Sequence, residues 1–147
     1  MCGITGVLGH ASAQPLDQVV SSMSTALYHR GPDDEGVWVD SDTNIALGHR
    51  RLSILDLSQK GHQPMLSDDS RYVIVFNGEV YNHKALRNEL ERKGISHWNG
   101  HSDTEVILAA ISTWGIEHAI SKFIGMFAMA VWDRLENKLH LARDRIG

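Results

Sequence analysis

Short polar connections between apolar runs constrain this chain most, because a link of a few residues can only turn a strand back antiparallel to its neighbour. Val37-Trp38-Val39 and Ile45-Ala46-Leu47 flank Asp40-Ser41-Asp42-Thr43, and the run from Phe127 to Trp132 meets Leu139 to Ala142 across Arg134 to Lys138. A third hairpin is expected where Arg71 to Phe76 meets Glu79 to Tyr81 across Asn77-Gly78, a dipeptide suited to the positive φ angles of a type I′ turn. Ile4 to Leu8 also has strand character. Helical spacing alternates with these runs. Val19, Val20, Met23, Ala26 and Leu27 share one face of a first helix that ends before His29-Arg30-Gly31-Pro32. Leu86 and Leu90 mark a second helix closed by Gly94, and Val106, Ile107 and Ala110 mark a third closed by Gly115. The expected class is α+β, an antiparallel sheet covered by helices.

A chain of 147 residues is one domain by size and buries roughly 70% of its unfolded surface without a disulfide staple. The single cysteine allows no internal disulfide, which fits a reducing cytosol and a cytoplasmic protein. No secretory leader pattern opens the sequence and no apolar run approaches ~18 residues, so neither secretion nor a membrane partner is expected. With a net charge of −4 and scattered Lys and Arg, the chain lacks the electrostatic footprint of a nucleic-acid binder. Nine histidines invite a metal reading, but His97 and His101 are separated by Trp98-Asn99-Gly100, a poor helix, and no Cys or carboxylate cluster completes a ligand set. No metal site is expected. After the last hairpin only Arg143-Asp144-Arg145-Ile146-Gly147 remain, so residues 1–147 read as an incomplete domain, truncated at its C-terminal end.

Cys2 follows the initiator methionine directly. Removal of Met1 would leave a thiol and a free α-amine on one residue, a nucleophile carrying its own base. Four further segments have the chemistry to surround it. Arg50 and Arg51 leave a strand side by side; an arginine fork suits a carboxylate, but only one of two strand neighbours can face a given site. Asn77-Gly78 supports either the turn or an oxyanion hole made from a side-chain amide and an exposed glycine N–H. Ser102-Asp103-Thr104-Glu105 is a capping box in which Asp103 is not required for the cap and is free to pair with an ammonium group.

Seven ordered motifs then carry a resemblance over essentially the whole chain. They are Met1-Cys2-Gly3-Ile4, His29-Arg30-Gly31-Pro32-Asp33, Arg51-Leu52-Ser53-Ile54-Leu55-Asp56, Gly61-His62-Gln63-Pro64-Met65, Phe76-Asn77-Gly78-Glu79-Val80-Tyr81-Asn82, Ser102-Asp103-Thr104-Glu105 and Gly125-Met126-Phe127-Ala128. Together they resemble the glutaminase domain of class II glutamine amidotransferases, and most of all its asparagine synthetase branch. The chain departs from that pattern at His101, where relatives usually carry a small or polar residue.

The resemblance implies an N-terminal-nucleophile hydrolase fold, an αββα sandwich of two antiparallel sheets between helical layers. It implies Cys2 as nucleophile, Asn77 with the Gly78 N–H as oxyanion hole, and Arg51 on the α-carboxylate of glutamine. It also implies Asp103 on the α-ammonium, Glu79 near the substrate, and backbone groups of Leu52 and Ile54 lining the pocket. The implied reaction is hydrolysis of glutamine to glutamate and ammonia. No cofactor serves that half; ATP and Mg would belong to a C-terminal synthetase domain, absent here, which makes asparagine from aspartate. That domain and a second copy in a homodimer would be the partners. Two alternatives remain: an amidotransferase with a different acceptor, and a glutamine-binding module without chemistry.

Overall fold

The computed structural model describes residues 2–9, 14–53 and 61–146. Its elements in chain order are β1 (Gly3–Leu8), α1 (Leu16–Ala26), a 3-10 turn (Tyr28–Arg30), β2 (Asp34–Asp40), β3 (Ile45–Arg51), β4 (Met65–Leu66) and β5 (Tyr72–Val80). There follow α2 (His83–Arg92), α3 (Asp103–Trp114), α4 (Ile116–Lys122), β6 (Gly125–Asp133) and β7 (Lys138–Arg143). One sheet has the order β1-β3-β2 and the other β4-β5-β6-β7, and every pairing is antiparallel.

Strand alternation assigns each side chain to a layer. Ile45 and Leu47 of β3 meet Val73 and Val75 of β5 and Ala130 and Trp132 of β6, which fills the space between the sheets. The alternate residues Tyr72, Ile74 and Phe76 turn outward and pack under Leu86, Leu90, Val106, Ile107 and Ile111 of the helices. On the far side α1 covers the three-stranded sheet, so the layers run helix, sheet, sheet, helix. This is the αββα sandwich that the resemblance implied.

The two β2–β3 and β6–β7 hairpins form as the short connections predict. Gly94 and Gly115 follow α2 and α3 with φ of +98° and +80°, conformations costly for any other residue. The third predicted hairpin does not exist. Asn77 and Gly78 lie inside β5, paired with Ala128 and Phe127 of β6. Nine consecutive pairs with β6 stabilise a straight strand more than a local turn could, and Gly78 is required for close approach instead. A Cβ there would collide with the Met126 carbonyl.

Two local expectations also change. The face of α1 that is buried runs through Val20 and Ser24, while Met23 is 38% exposed. A Cβ on Gly48 of β3 would strike both Ser24 and Val20, so the helix approaches the strand through small residues rather than its bulkiest apolar side chain. At α3, Ser102 accepts the Glu105 N–H at 3.3 Å, but the Glu105 carboxylate turns to the N–H groups of Asn99 and Gly100. The box closes on the preceding loop instead of on Ser102. Among the described residues α4 and β4 are elements that the sequence reading does not contain.

Candidate active site

Cys2 stands at the head of β1, half-buried, with its sulfur 3.4 Å from the Leu52 N–H and 3.9 Å from the Leu52 carbonyl. The N–H donates to sulfur and is placed to compensate the charge that develops there when the thiol proton leaves. In register, Gly3 pairs with Arg50, so the same register carried one step further sets Cys2 opposite Arg51. Arg51, the last residue of β3, is 9% exposed and lies on the same face as Ile45, Leu47 and His49. Its guanidinium packs against Gly61, where a Cβ would collide with Nη2.

The neighbouring arginine has a different task. Arg50 points to the α1 side, where its Nε donates to the Gly31 carbonyl at 2.9 Å, its Nη1 meets the Glu35 carboxylate, and its guanidinium lies 4.8 Å over the Tyr28 ring. Gly31 lacks a Cβ because one would collide with the Arg50 backbone. Asp33 follows, receiving the Ser53 N–H on Oδ2 at 2.7 Å and giving its own N–H to the Arg51 carbonyl at 3.0 Å. Hence the His-Arg-Gly-Pro-Asp segment clamps the strand end that presents Arg51, Leu52 and Ser53. Ile54, the further predicted pocket residue, lies outside the described residues, as do Leu55 and Asp56.

On the opposite sheet Asn77 is half-buried and shares the inter-sheet face with Val73 and Val75. Gly78 and Glu79 are exposed, and β5 ends at Val80, whose N–H donates to Asp103 Oδ2 at 3.0 Å. Burial pushes the Asp103 carboxyl above the usual carboxylate range, opposed by the N–H groups of Val80 and Thr104 and by nearby His83. Asp103 is thus tied to the strand end three residues beyond Asn77. Register sets Cys2 beside Arg51 in one sheet, the His49–Phe76 bond between the sheets brings the strand end carrying Asn77 to that side, and the Asp103 hydrogen bond brings the start of α3 to the same strand. Glu79 reaches that end from the exposed tip of β5.

Two buried polar residues near this end have no role in the sequence reading. His49, 1% exposed, reaches the Phe76 carbonyl with Nε2 at 3.0 Å. Gln63, 5% exposed, accepts the Phe76 N–H at 2.6 Å. Alternation along Ile45, Leu47 and His49 was the available signal for the first, and the Gly61-His62-Gln63-Pro64 motif for the second. His62 itself is exposed and bonds the Asp34 carboxylate at 2.8 Å.

The fold is that of an N-terminal-nucleophile amidotransferase: a glutamine phosphoribosylpyrophosphate amidotransferase from Bacillus subtilis superposes with a TM-score of 0.78 at 21% identity, over 96% of this chain and 37% of that one. A family model for the glutamine amidotransferase domain matches residues 1–147, and the chain belongs to that family. Its relatives include asparagine synthetase [glutamine-hydrolyzing] 1 of Bacillus subtilis, 44% identical over 150 residues. A putative asparagine synthetase [glutamine-hydrolyzing] 2 of Methanocaldococcus jannaschii is 37% identical over 163 residues, and amidase chry2 of Gibberella zeae is 36% identical over 157. Each match takes in all of this chain but only 23%, 30% and 23% of the respective relative, so the chain spans roughly a quarter of their length.

Proposed function

We propose that this chain is the glutamine-hydrolysing part of a larger asparagine-synthetase-type amidotransferase, with Cys2, freed of Met1, as its nucleophile. The observation that carries this reading is the seating of the Cys2 sulfur against the Leu52 N–H, in register with Arg51. Arg51 holds the α-carboxylate of glutamine and Asp103 its α-ammonium, which sets the side-chain carbonyl against sulfur and supplies the orientation term. Leu52 lines the pocket through its backbone, and Glu79 borders it.

The Cys2 thiol gives its proton to the α-amine and the sulfur attacks the δ-carbon of glutamine. The carbonyl electrons move to oxygen, held by the Asn77 amide and the Gly78 N–H. The carbon–nitrogen bond then breaks, nitrogen takes the proton from the α-ammonium, and ammonia leaves a thioester. Water, deprotonated by the α-amine, attacks that thioester; the carbon–sulfur bond breaks, the thiol is restored and glutamate departs. No metal or cofactor takes part in these steps. Ammonia passes to a synthetase portion in the cytoplasm, where ATP and Mg belong and aspartate is the acceptor, a reading supported by the Bacillus subtilis relative being named an asparagine synthetase. The similarity to amidase chry2 favours a second reading in which the hydrolysis is the same and the acceptor differs.

The test is intact mass before and after a diazo-ketone analogue of glutamine, alongside glutamate release from glutamine. Expected are a mass lacking Met1, one adduct mapped to Cys2, and release abolished by Cys2→Ala. Glutamine binding with neither adduct nor glutamate would replace this reading with a binding module.

A further inference from the structure

Phe76 is the residue before Asn77, and both of its main-chain hydrogen-bonding groups are taken by side chains from other elements. β4 pairs only with Val73 and Ile74, so it stops short of Phe76. Continued by two residues, the same register would set Gln63 opposite Phe76. There the side chain of Gln63 replaces a strand: Oε1 accepts the Phe76 N–H at 2.6 Å, while His49 Nε2 donates to the Phe76 carbonyl at 3.0 Å. The other end of the Gln63 amide, Nε2, donates to Thr104 Oγ1 at 3.4 Å. The approach is built for closeness, since a Cβ on Gly36 of β2 would run into the Gln63 carbonyl. Gln63 and Thr104 are both buried, at 5% and 3% exposure.

The position of these contacts gives them their meaning. His49 lies two residues before Arg51, Phe76 one before Asn77, and Thr104 one after Asp103, so a single buried amide and one imidazole join the three segments that carry the candidate site. We propose that Gln63 is a positioning residue for Asn77, its amide holding the Phe76 main chain so that the Asn77 side chain meets the developing oxyanion. The proposal rests on the glutaminase reading above. A buried glutamine that only satisfied an edge N–H would matter for stability alone. One that orients an oxyanion donor matters for the transition state more than for bound substrate.

Gln63→Met keeps the volume and removes both hydrogen bonds. In the glutamine-hydrolysing protein, with active sites counted by the diazo-ketone analogue, kcat should fall about 10- to 100-fold while KM stays within about 3-fold. Inhibition by the aldehyde analogue of glutamine, whose adduct with Cys2 carries the oxyanion, should weaken by the same factor as kcat. A loss of folded protein would move neither ratio. Thr104→Val, which frees the Gln63 amide to rotate, should lower kcat several-fold with the same aldehyde signature and unchanged KM, and it decides the matter if Gln63→Met fails to fold. Unchanged kcat and aldehyde affinity in a folded Gln63→Met, or in Thr104→Val should that variant alone fold, overturn the proposal. Asn77→Ala serves as control: if it leaves kcat intact, the oxyanion assignment itself fails, and this proposal with it.

Discussion

His49 sends its Nε2–H from β3 to the carbonyl oxygen of Phe76 on β5, 3.0 Å away, and so joins the two sheets one residue before Asn77. A carbonyl only accepts, which fixes the neutral tautomer with the proton on Nε2. Burial lowers the pKa of His49 from 6.5 to about 4, the bond to Phe76 opposing part of that shift. Between those values the unfolded chain binds a proton that the folded chain refuses. The His49 contribution is therefore complete above pH 6.5 and is lost as pH falls towards 4, on the order of 3 kcal/mol in all. Denaturant unfolding from pH 4 to 7 should show this slope, and His49→Gln should flatten it.

Asp103 has the opposite sign. Its folded carboxyl titrates above the ordinary value, chiefly through burial, so the folded chain holds a proton that the unfolded chain has already released. The Asp103 contribution to stability therefore falls as pH rises through that window, against the larger His49 slope. Asp103→Asn keeps an oxygen for the Val80 N–H and removes the buried charge. It should match or exceed wild-type melting temperature at pH 7 while raising the KM for glutamine about 10-fold or more, from loss of the ammonium partner. Calorimetry and steady-state kinetics on the same preparation check both halves.

The adjacent arginines should separate cleanly. Arg50→Met loses the Gly31 carbonyl, the Glu35 carboxylate and the Tyr28 ring, and should cost about 2–3 kcal/mol of stability with KM little changed in the folded fraction. Gly61→Ala puts a methyl against the Arg51 guanidinium, the far end of a long side chain that can swing aside. Stability should change by less than about 1 kcal/mol while KM rises about 10-fold. Denaturation midpoints against Michaelis constants for the two variants test the contrast; equal effects on both would refute it.

Much of the candidate site is legible in sequence because the chemistry it would use is local to short motifs. Cys2 at the head of a strand, the Arg50-Arg51 pair and the helix cap at Ser102 each announce themselves within five residues. Their partners are remote. Nothing near Arg50 reveals that Glu35, Gly31 and Tyr28 will claim it, because those contacts depend on α1 and β2 folding against β3. His49 and Gln63 sit in visible patterns, but their partner does not, since the group they serve is the main chain of Phe76, which no side-chain pattern marks.

Short connections, alternating apolar residues and glycines at 94 and 115 were enough to determine two of the antiparallel hairpins and the ends of two helices, because each depends on φ, ψ and periodicity over a few neighbours. Tertiary structure alone decided that Asn77-Gly78 continues a strand instead of turning, that Val20 and Ser24 rather than Met23 seat the first helix, and that Arg51 and not Arg50 faces the inter-sheet end. For Asn77-Gly78 a local turn preference of about one kcal/mol met β6, and the sum of pairings with that remote strand outweighed it; the helix face and the arginines were left open locally and were settled by close contacts with distant elements.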